Sequence, residues 1–319
     1  MKQNRSKKAI NKVLQWLIIF LTVLCVLVAS RFFGEIGKQT AGEGGNTYAA
    51  SGEEASGLEV HFIDVGQGDA TLIKADGHAM LIDAGENDKG TAVQLYLKKQ
   101  GVDRLDYLVL THTDSDHIGG ADVIISKFDI GQIFLSDFKK DNKTYRELMD
   151  SMKSRNMTFS IPEVGSEYAL GDAVFSIIAP NDTYDDPNNS SIALIMDYGE
   201  NSFLFSGDCE EEAEQDILEN GMNLDVDVYQ VGHHGSRSSS TEDFLDAMSP
   251  EYAVISCAEG NSYGHPHAQT LNNLRARRIK VFRTDEQGSI VAYSDGTDIT
   301  WNCSPSDSWQ SGEAAGSGK

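Results

Sequence analysis

The amino-acid sequence predicts an α/β fold in which two β-sheets pack face to face and helices cover their outer surfaces. Apolar strands and amphipathic helices follow one another through most of the 319 residues. The strands are apolar on both faces, which indicates burial on both sides. Polar clusters follow several strand ends, where side chains from distant parts of a chain can meet. We expect one domain with this four-layer αββα arrangement at residues 58–303.

The first half of the domain is predicted to contain four strands and three helices. Apolar runs separated by Gly- and Asp-containing turns predict strands at 58–65, 70–75, 78–85 and 105–112. Amphipathic patterns predict helices at 90–101, 121–128 and 143–156, and Gly101 is typical of a helix end.

The second half continues the alternation of strands and helices. Strands are predicted at 173–180, 191–199, 202–208, 226–234, 252–258, 280–284, 288–294 and 298–303. Helices are predicted at 209–221, 241–248 and 268–278. The helix at 209–221 carries acidic residues in its first turn, which the helix dipole favours.

The N-terminus has the pattern of an export segment. Residues 1–12 are basic and contain no acid, and residues 13–30 carry no charge. An uncharged run of this length can span a bilayer as a helix. We expect a membrane anchor or signal peptide at 13–30, a cytoplasmic N-terminus and an extracellular C-terminal domain. The protein would be secreted if the small residues Val28-Ala29-Ser30 form a cleavage site.

The segments flanking the domain, and its charge, set further expectations. Residues 31–57 are rich in Gly, Ala, Ser and Glu and predict a flexible linker, and residues 304–319 predict a disordered tail. The net charge is −23, and the first 30 residues contribute +5, so the remainder carries −28. Such a surface gives no long-range attraction to a polyanion.

The cysteines do not form a disulfide framework. Cys25 lies in the apolar run, and an odd number remains in the domain. Cys209 and Cys257 adjoin apolar strands and are expected to be buried thiols, while a bridge between Cys257 and Cys303 stays open.

The stretch THTDSDHIGG (111–120) places four potential metal ligands within six positions, namely His112, Asp114, Asp116 and His117. Histidine two positions before an aspartate can aim both side chains the same way in an extended turn. A single acidic loop is usually a solvated turn. The function of this one therefore depends on what the other strand ends contribute.

Three more clusters are expected just after apolar strands. They are Asn188/Asn189, Asp208 in SGDC, and His233/His234 in VGHHGS. A pair of divalent ions needs two ligand sets joined by a bridging carboxylate, and the isolated Asp208 suits that bridge. Adjacent residues at a strand end point in opposite directions, so we expect one of the two histidines to bind metal and the other to contact either the substrate or a metal ligand.

The motifs together resemble those of the metallo-β-lactamase fold hydrolases. The stretches HFIDVGQGDATLI, LIDAG, THTDSDHIGG, NNSSIAL, FLFSGD, VGHHGS and YGHPH look like the metallo-β-lactamase domain of the ComEC-type competence family. The resemblance covers about residues 60–300. It implies an αββα sandwich, a dinuclear metal centre and phosphodiester hydrolysis. A chain with at most one span would be a stand-alone relative without the channel of that family.

Two positions depart from the wider superfamily in the same way as in the ComEC branch. Asp114 stands where most members carry His, and Asn188 or Asn189 stands where another His would be. Imidazole suits Zn²⁺, whereas carboxylate and carbonyl oxygens suit Mn²⁺. The expected cofactors are two divalent ions, Mn²⁺ or Zn²⁺. Alternatively, the first position binds too weakly to fill.

The predicted site residues fall into three groups. Metal ligands are expected at His112, Asp114, Asp116, His117, Asn189, Asp208, His233 and His234. Catalytic roles are expected for Asp116, Asp208 and His265, and a supporting or substrate-binding role for Asp64, Asp69, Asp83, Asn188, Ser236 and His267.

The expected function is a metal-dependent extracellular phosphodiesterase or nuclease that acts on DNA through a hydroxide held between two ions. Competence or cell-surface machinery is the expected partner. Another phosphodiester, such as a wall polymer, lipid head group or nucleotide, and a non-catalytic metal-binding protein stay as alternatives.

Overall fold

A computed structural model describes residues 57–312. The strands of its first half are β1 (Leu58–Phe62), β2 (Thr71–Ala75), β3 (His78–Ile82), β4 (Arg104–Leu110), β5 (Asp129–Leu135), β6 (Glu167–Leu170) and β7 (Ala173–Ala179). Those of its second half are β8 (Ala193–Tyr198), β9 (Asn201–Phe205), β10 (Val228–Gln230), β11 (Tyr252–Ile255), β12 (Lys280–Arg283), β13 (Ile290–Ser294) and β14 (Ile299–Trp301).

The helices connect these strands. They are α1 (Gly90–Lys99), α2 (Ser115–Ile118), α3 (Ala121–Lys127), α4 (Lys143–Ser154), α5 (Glu211–Glu219), α6 (Glu242–Met248), α7 (Ala268–Ala276) and α8 (Thr284–Gln287). A 3₁₀ turn at Gly232–Gly235 follows β10.

The strands form two mixed sheets of seven strands each. One has the order β14-β13-β1-β2-β3-β4-β5, and the other has the order β12-β11-β10-β9-β8-β7-β6. Apolar side chains such as Phe62, Phe175 and Phe205 fill the space between the sheets. The two-sheet sandwich predicted from the sequence is therefore confirmed.

Helices pack on the outer face of each sheet. Val93 of α1, Ile124 of α3 and Leu148 of α4 share an apolar cluster with the first sheet. On the second sheet the corresponding side chains come from α5, α6 and α7. The central strands are thus covered on both sides, which explains why they are apolar on both faces.

The connections bring several strand ends to one edge of the sandwich. β3, β4 and β5 are parallel, as are β9 to β12. The carboxyl ends of the parallel strands therefore lie together in each sheet. The antiparallel β2 and β8 begin where their partners β3 and β9 end, so the residues before them reach the same edge.

Several predicted elements differ from the structure. β5 and β6 were not predicted, because their half-exposed, polar-interrupted sequences DIGQIFL and EYAL lack a continuous apolar run. The strand predicted at 226–234 ends at Gln230. Cys209, Cys257 and Cys303 are free thiols, and the first two are buried as expected.

The predicted tail at 304–319 is wrong in its first part, because residues 304–312 pack on the domain. Ser306 N donates to Val281 O at 2.7 Å, and Gly312 N donates to Pro266 O at 3.0 Å. Arg283 Nη1 donates to Gln310 O at 2.7 Å. We call residues 304–312 the C-terminal strap.

The expected localisation is corrected. Among residues 57–312, no helix is both long and apolar enough to cross a bilayer. The expected span at 13–30, the N-terminus at 1–12 and nearly all of the linker at 31–57 lie outside the described residues. The placement of the protein as a single-pass membrane protein or a secreted one is therefore withdrawn.

Candidate metal centre

The predicted ligands meet at the edge where the parallel strands end. His112, Asp114, Asp116 and His117 follow β4, and Asp208 follows β9. His233 and His234 follow β10 in the 3₁₀ turn. A cleft at this edge is lined by Gln67, Asp114, Asp116, Asn188, Asp208, His233, His234, Tyr263 and His265.

A close backbone contact holds α2 in place. Asp69 N donates to Asp116 O at 3.1 Å. A Cβ on Gly68 would lie 2.2 Å from the same oxygen, so only glycine allows this approach. The Gly-rich turn before β2 thus fixes the positions of Asp116 and His117 near the strand ends of the second sheet.

Asp208 lies at the centre of the cluster. Its Oδ1 is 3.2 Å from His117 Nε2. Its Oδ2 is 3.6 Å from His234 Nε2, 3.7 Å from His233 Nε2 and 3.8 Å from His112 Nε2. One carboxylate therefore faces four imidazoles that come from two different sheets.

Part of the cluster has the geometry of a metal site. Asp69, His117, Asp208 and His234 are all buried, and each offers a ligand atom within 4.8 Å of the others. His117 Nε2 and His234 Nε2 are 3.3 Å apart. Two ligands on one tetrahedral ion, each at about 2.0–2.1 Å from it, are separated by roughly 3.3–3.4 Å. The spacing suits a divalent ion.

Several buried polar atoms at the cluster make no hydrogen bond of good geometry within the protein. Asp69 Oδ1, His112 Nε2 and Asp208 Oδ1 are among the described buried side-chain atoms that make no hydrogen bond. A buried polar atom without a partner costs about 1–3 kcal/mol. Three such atoms at one place indicate that a ligand from outside the chain satisfies them, and their nitrogen and oxygen types suit a metal.

In three of the histidines the Nδ1 atom contacts a polar group outside the cluster, and the Nε2 atom faces Asp208. His117 Nδ1 is 2.8 Å from Asp83 Oδ2, and His234 Nδ1 is 3.0 Å from Ser256 O. His233 Nδ1 is 3.1 Å from Glu210 Oε1. Partners of this kind fix the ring orientation and tautomer of metal-binding histidines.

His112 is held through a shared hydroxyl. Its Nδ1 is 3.2 Å from Thr111 Oγ1, and that hydroxyl donates to Asp83 Oδ2 at 2.6 Å. Asp83 also accepts from Thr111 N at 2.9 Å. Asp83 therefore orients two of the histidines but contributes no atom to the cleft itself.

The cluster attracts positive charge. Burial alone would raise the pKa of Asp208, but His117, His234 and His233 hold that pKa well below its usual range. Against the effect of burial, Asp208 raises the pKa of His117 and His234 well above the ordinary value. A divalent ion bound here would supply the positive charge that protonated His117 and His234 provide in its absence.

His233 and His234 both face the cluster, contrary to the expectation of opposite directions. The strand has ended before them, and both residues adopt left-handed backbone conformations with φ of 49° and 54°. In this turn His234 Nε2 also lies 3.3 Å from Asp116 Oδ2. The rule for alternate side chains in a strand does not apply to a left-handed turn.

The prediction of Asn189 as a metal ligand is corrected. Its Oδ1 accepts from Glu210 N at 3.0 Å and Ala213 N at 3.2 Å, so it caps the start of α5. Its Nδ2 donates to Asp186 Oδ2 at 3.0 Å. The neighbouring Asn188 lines the cleft instead.

Asp114 lies at the rim of the cleft. It precedes the first residue of α2 in an extended conformation, and its Oδ1 forms an ion pair with Lys140 Nζ. Both side chains are about one-third exposed. The acidic ligand predicted for the first ion is therefore paired with a cation that also faces solvent.

His265 reaches the cleft from the loop before α7. Its ring centroid lies 5.4 Å from that of His233, and its Nδ1 is 3.5 Å from Gln67 Nε2. Burial, together with the charges of His234, His233 and His267, lowers the pKa of His265 to about 3. His265 is therefore a neutral imidazole that can donate a hydrogen bond.

Besides Asp83 and Asn189, three more predicted site residues do not reach the cleft. Asp64 is exposed, and its Oδ1 accepts from Gly66 N at 3.0 Å. Ser236 Oγ lies 2.9 Å from Ser238 Oγ. His267 Nδ1 accepts from Arg237 N at 2.9 Å just before α7. These three side chains shape local turns.

Comparison with known proteins agrees with this arrangement. The sequence profile of the metallo-beta-lactamase superfamily matches residues 63–259, which is more than half of the chain. The chain belongs to this superfamily. The cluster described above lies almost entirely within the matched residues.

Similar curated proteins point to one branch of the superfamily. They are ComE operon protein 3 of Bacillus subtilis (31% identical over 253 residues), Recombination protein 2 of Haemophilus influenzae (31% over 238) and Competence protein ComA of Neisseria gonorrhoeae (33% over 230). The matches cover 71–73% of this chain and 28–32% of each relative. The chain thus spans less than a third of the length of these relatives, and the resemblance to the ComEC-type competence family is confirmed.

Three residues at the site were not singled out from the sequence. Gln67 and Tyr263 line the cleft, and Glu210 holds His233. Gln67 and Tyr263 lie within stretches that carry the resemblance, HFIDVGQGDATLI and YGHPH, and Glu210 follows FLFSGD by two positions. Their position in or beside those stretches was the available signal.

Proposed function

We propose that the protein is a divalent-metal-dependent phosphodiesterase that hydrolyses DNA. The observation that carries this proposal is the convergence of Asp208 with four histidines from two sheets in an open cleft. The similarity to proteins named for competence favours DNA as the substrate and competence machinery as the partner.

Two sets of ligands are proposed, and Asp208 contributes to both. His112, Asp114 and Asn188 would hold the first ion. Asp116, His117 and His234 would hold the second, beside the buried carboxylate of Asp69. Oxygen ligands from Asp114 and Asn188 favour Mn²⁺ at the first position, whereas the two imidazoles at the second also suit Zn²⁺.

Divalent ions at such a site polarise a phosphoryl oxygen and lower the pKa of water so that it can attack at neutral pH. The protein holds the reacting groups in place. Asp83 and Glu210 keep His117 and His233 turned toward Asp208. The neutral His265 is placed to donate a hydrogen bond to an oxygen of the substrate, and Lys140 at the rim is placed to meet a phosphate.

Hydrolysis by the full chain tests the proposal. The protein is stripped of metal and refilled with Mn²⁺ or Zn²⁺, and the substrates are single-stranded DNA, duplex DNA and a small chromogenic phosphodiester. We expect DNA cleavage that is lost in Asp208→Ala and retained in Asp64→Asn, whose carboxylate lies away from the cleft.

Two outcomes would contradict the proposal in different ways. Turnover of the small diester alone would retain the phosphodiesterase and reject DNA, in agreement with the net charge of −23. Metal binding without turnover of any substrate would favour a non-catalytic metal-binding protein.

A further inference from the structure

An exposed aromatic ring stands at the mouth of the cleft. Tyr263 is 63% exposed, the largest value for a bulky hydrophobic side chain among residues 57–312. It lines the same cleft as Asp208 and His265. Single exposed rings are common on protein surfaces, but this one is held in place by specific contacts.

One face of the Tyr263 ring packs against the ring of His265. The rings of Tyr263 and His265 are stacked, with centroids 5.6 Å apart and an angle of 24° between the planes. His265 is itself 4% exposed and therefore fixed by its surroundings. The ring of Tyr263 thus extends a stack that begins inside the cleft, and its large exposed surface is open to a ligand.

The loop that carries the ring is tied together by a single side chain. Asn261 Oδ1 accepts from Tyr263 N at 3.1 Å and from His265 N at 3.0 Å. Asn261 Nδ2 donates to Ala258 O at 2.8 Å and to His265 O at 2.6 Å. The backbone under Tyr263 is therefore ordered before any ligand binds, which lowers the entropy cost of binding.

Because the protein has a net negative charge, contacts that do not depend on charge matter more for its binding of nucleic acid. Proteins that bind nucleic acid usually obtain most of their affinity from phosphate contacts with Lys and Arg. This chain has 26 basic and 49 acidic residues, so that contribution is weak. Stacking of a base on an aromatic ring contributes about 1–3 kcal/mol per base and does not depend on net charge.

We propose that Tyr263 is a stacking platform for the nucleobase next to the phosphate being cleaved, and that the substrate is single-stranded nucleic acid. Bases within a duplex are already stacked on one another and do not offer a face to the ring. Wall polymers and lipid head groups without an aromatic ring would gain nothing from it. The inference rests on the proposed phosphodiesterase function.

The test compares variants of the full chain loaded with Mn²⁺. Tyr263→Ala removes the ring, Tyr263→Phe keeps it, and Tyr293→Ala removes a second exposed tyrosine that lies on β13, outside the cleft. The substrates are a short single-stranded oligonucleotide and an abasic oligomer with the same number of phosphates. Both kcat/KM and, in Asp208→Ala backgrounds, the binding of the oligomers by fluorescence anisotropy are measured.

We expect Tyr263→Ala to lower kcat/KM on the oligonucleotide by roughly 5- to 150-fold, which corresponds to 1–3 kcal/mol. Tyr263→Phe and Tyr293→Ala should act like the wild type, and the abasic oligomer should be cleaved equally by all. An equal loss on both oligomers, or no loss, would overturn the stacking role while leaving the phosphodiesterase intact. If the wild type cleaves neither oligomer, the proposed function fails, and the difference in anisotropy between the two oligomers still decides whether Tyr263 binds a base.

Discussion

At the scale of single residues, the site depends on the groups that orient the proposed ligands. Asp83 is buried, adopts φ of 58°, and accepts hydrogen bonds from Thr111 and His117. Burial raises the pKa of Asp83, opposed by the charge of His117. Its role is to turn His117 toward Asp208, which predicts an effect on metal binding rather than on substrate binding.

Asp83→Asn should weaken metal binding by about 10- to 100-fold, because the loss of a partner behind a metal-binding histidine usually has that effect. The measurement is competition for the metal with a coloured chelator. Asp64→Asn is the matched control, since the carboxylate of Asp64 accepts from Gly66 N in its own turn, away from the cleft. Equal metal affinity in the two variants would show that Asp83 does not orient His117.

The sequence indicated which motifs meet, but not which member of each pair faces the cleft. Asn188 and Asn189 are adjacent, and only the hydrogen bonds of Asn189 to α5 show that it is a cap. His233 and His234 were expected to diverge, and a left-handed turn brings both inward. These choices depend on backbone conformation and tertiary partners, which composition and spacing do not determine.

At the scale of elements, the C-terminal strap (residues 304–312) contacts the loop that carries His265. Gly312 bonds to Pro266, the neighbour of His265, and Trp309 packs on the apolar cluster of the second sheet. The polar, Ser-rich sequence of the strap resembles a disordered segment. Its order comes from contacts with Val281, Arg283 and Pro266 that lie far away in the sequence.

Ending the chain after Cys303 should lower both the melting temperature and kcat, because the loop that carries His265 loses its contact with the strap. Ending it after Gly312 removes only residues 313–319 and should change neither. The measurements are thermal unfolding and turnover of the small diester. A chain ending at Cys303 that keeps full stability and activity would show that the strap has no role.

At the scale of the whole molecule, one buried carboxyl group makes stability depend on pH. Glu214 lies on α5 and accepts hydrogen bonds from Ser240 N and Thr241 N. Burial raises the pKa of Glu214 to about 7, although these hydrogen bonds oppose the shift. The native protein therefore holds a proton that the unfolded chain releases near pH 4.5.

Because the native state binds more protons in this range, stability should fall as the pH rises from about 4.5 to 7 and then level off. The contribution of Glu214 is about 3 kcal/mol. Urea unfolding of wild type and Glu214→Gln at pH 5 and pH 8 measures it, since the amide cannot ionise. The wild type should lose more stability than the variant, and equal losses would refute a raised pKa at Glu214.

The overall sandwich was predictable because it follows from strands that are apolar on both faces. Its edge β5 and β6 were missed, since half-exposed strands mix polar and apolar residues. The site lies where the parallel strands of both sheets end, so the fold and the metal centre depend on one another. Filling the centre should accordingly stabilise the whole domain.

The most direct test of the account is the number of divalent ions that the full chain holds. Metal-free protein is dialysed against Mn²⁺ or Zn²⁺, and the bound metal is measured by mass spectrometry for the wild type, Asp208→Ala and Asp64→Asn. Two ions for each wild-type and Asp64→Asn chain, with a loss in Asp208→Ala, is the predicted result. A folded wild-type protein that holds no ion, or an Asp208→Ala variant that holds as many as the wild type, would contradict it.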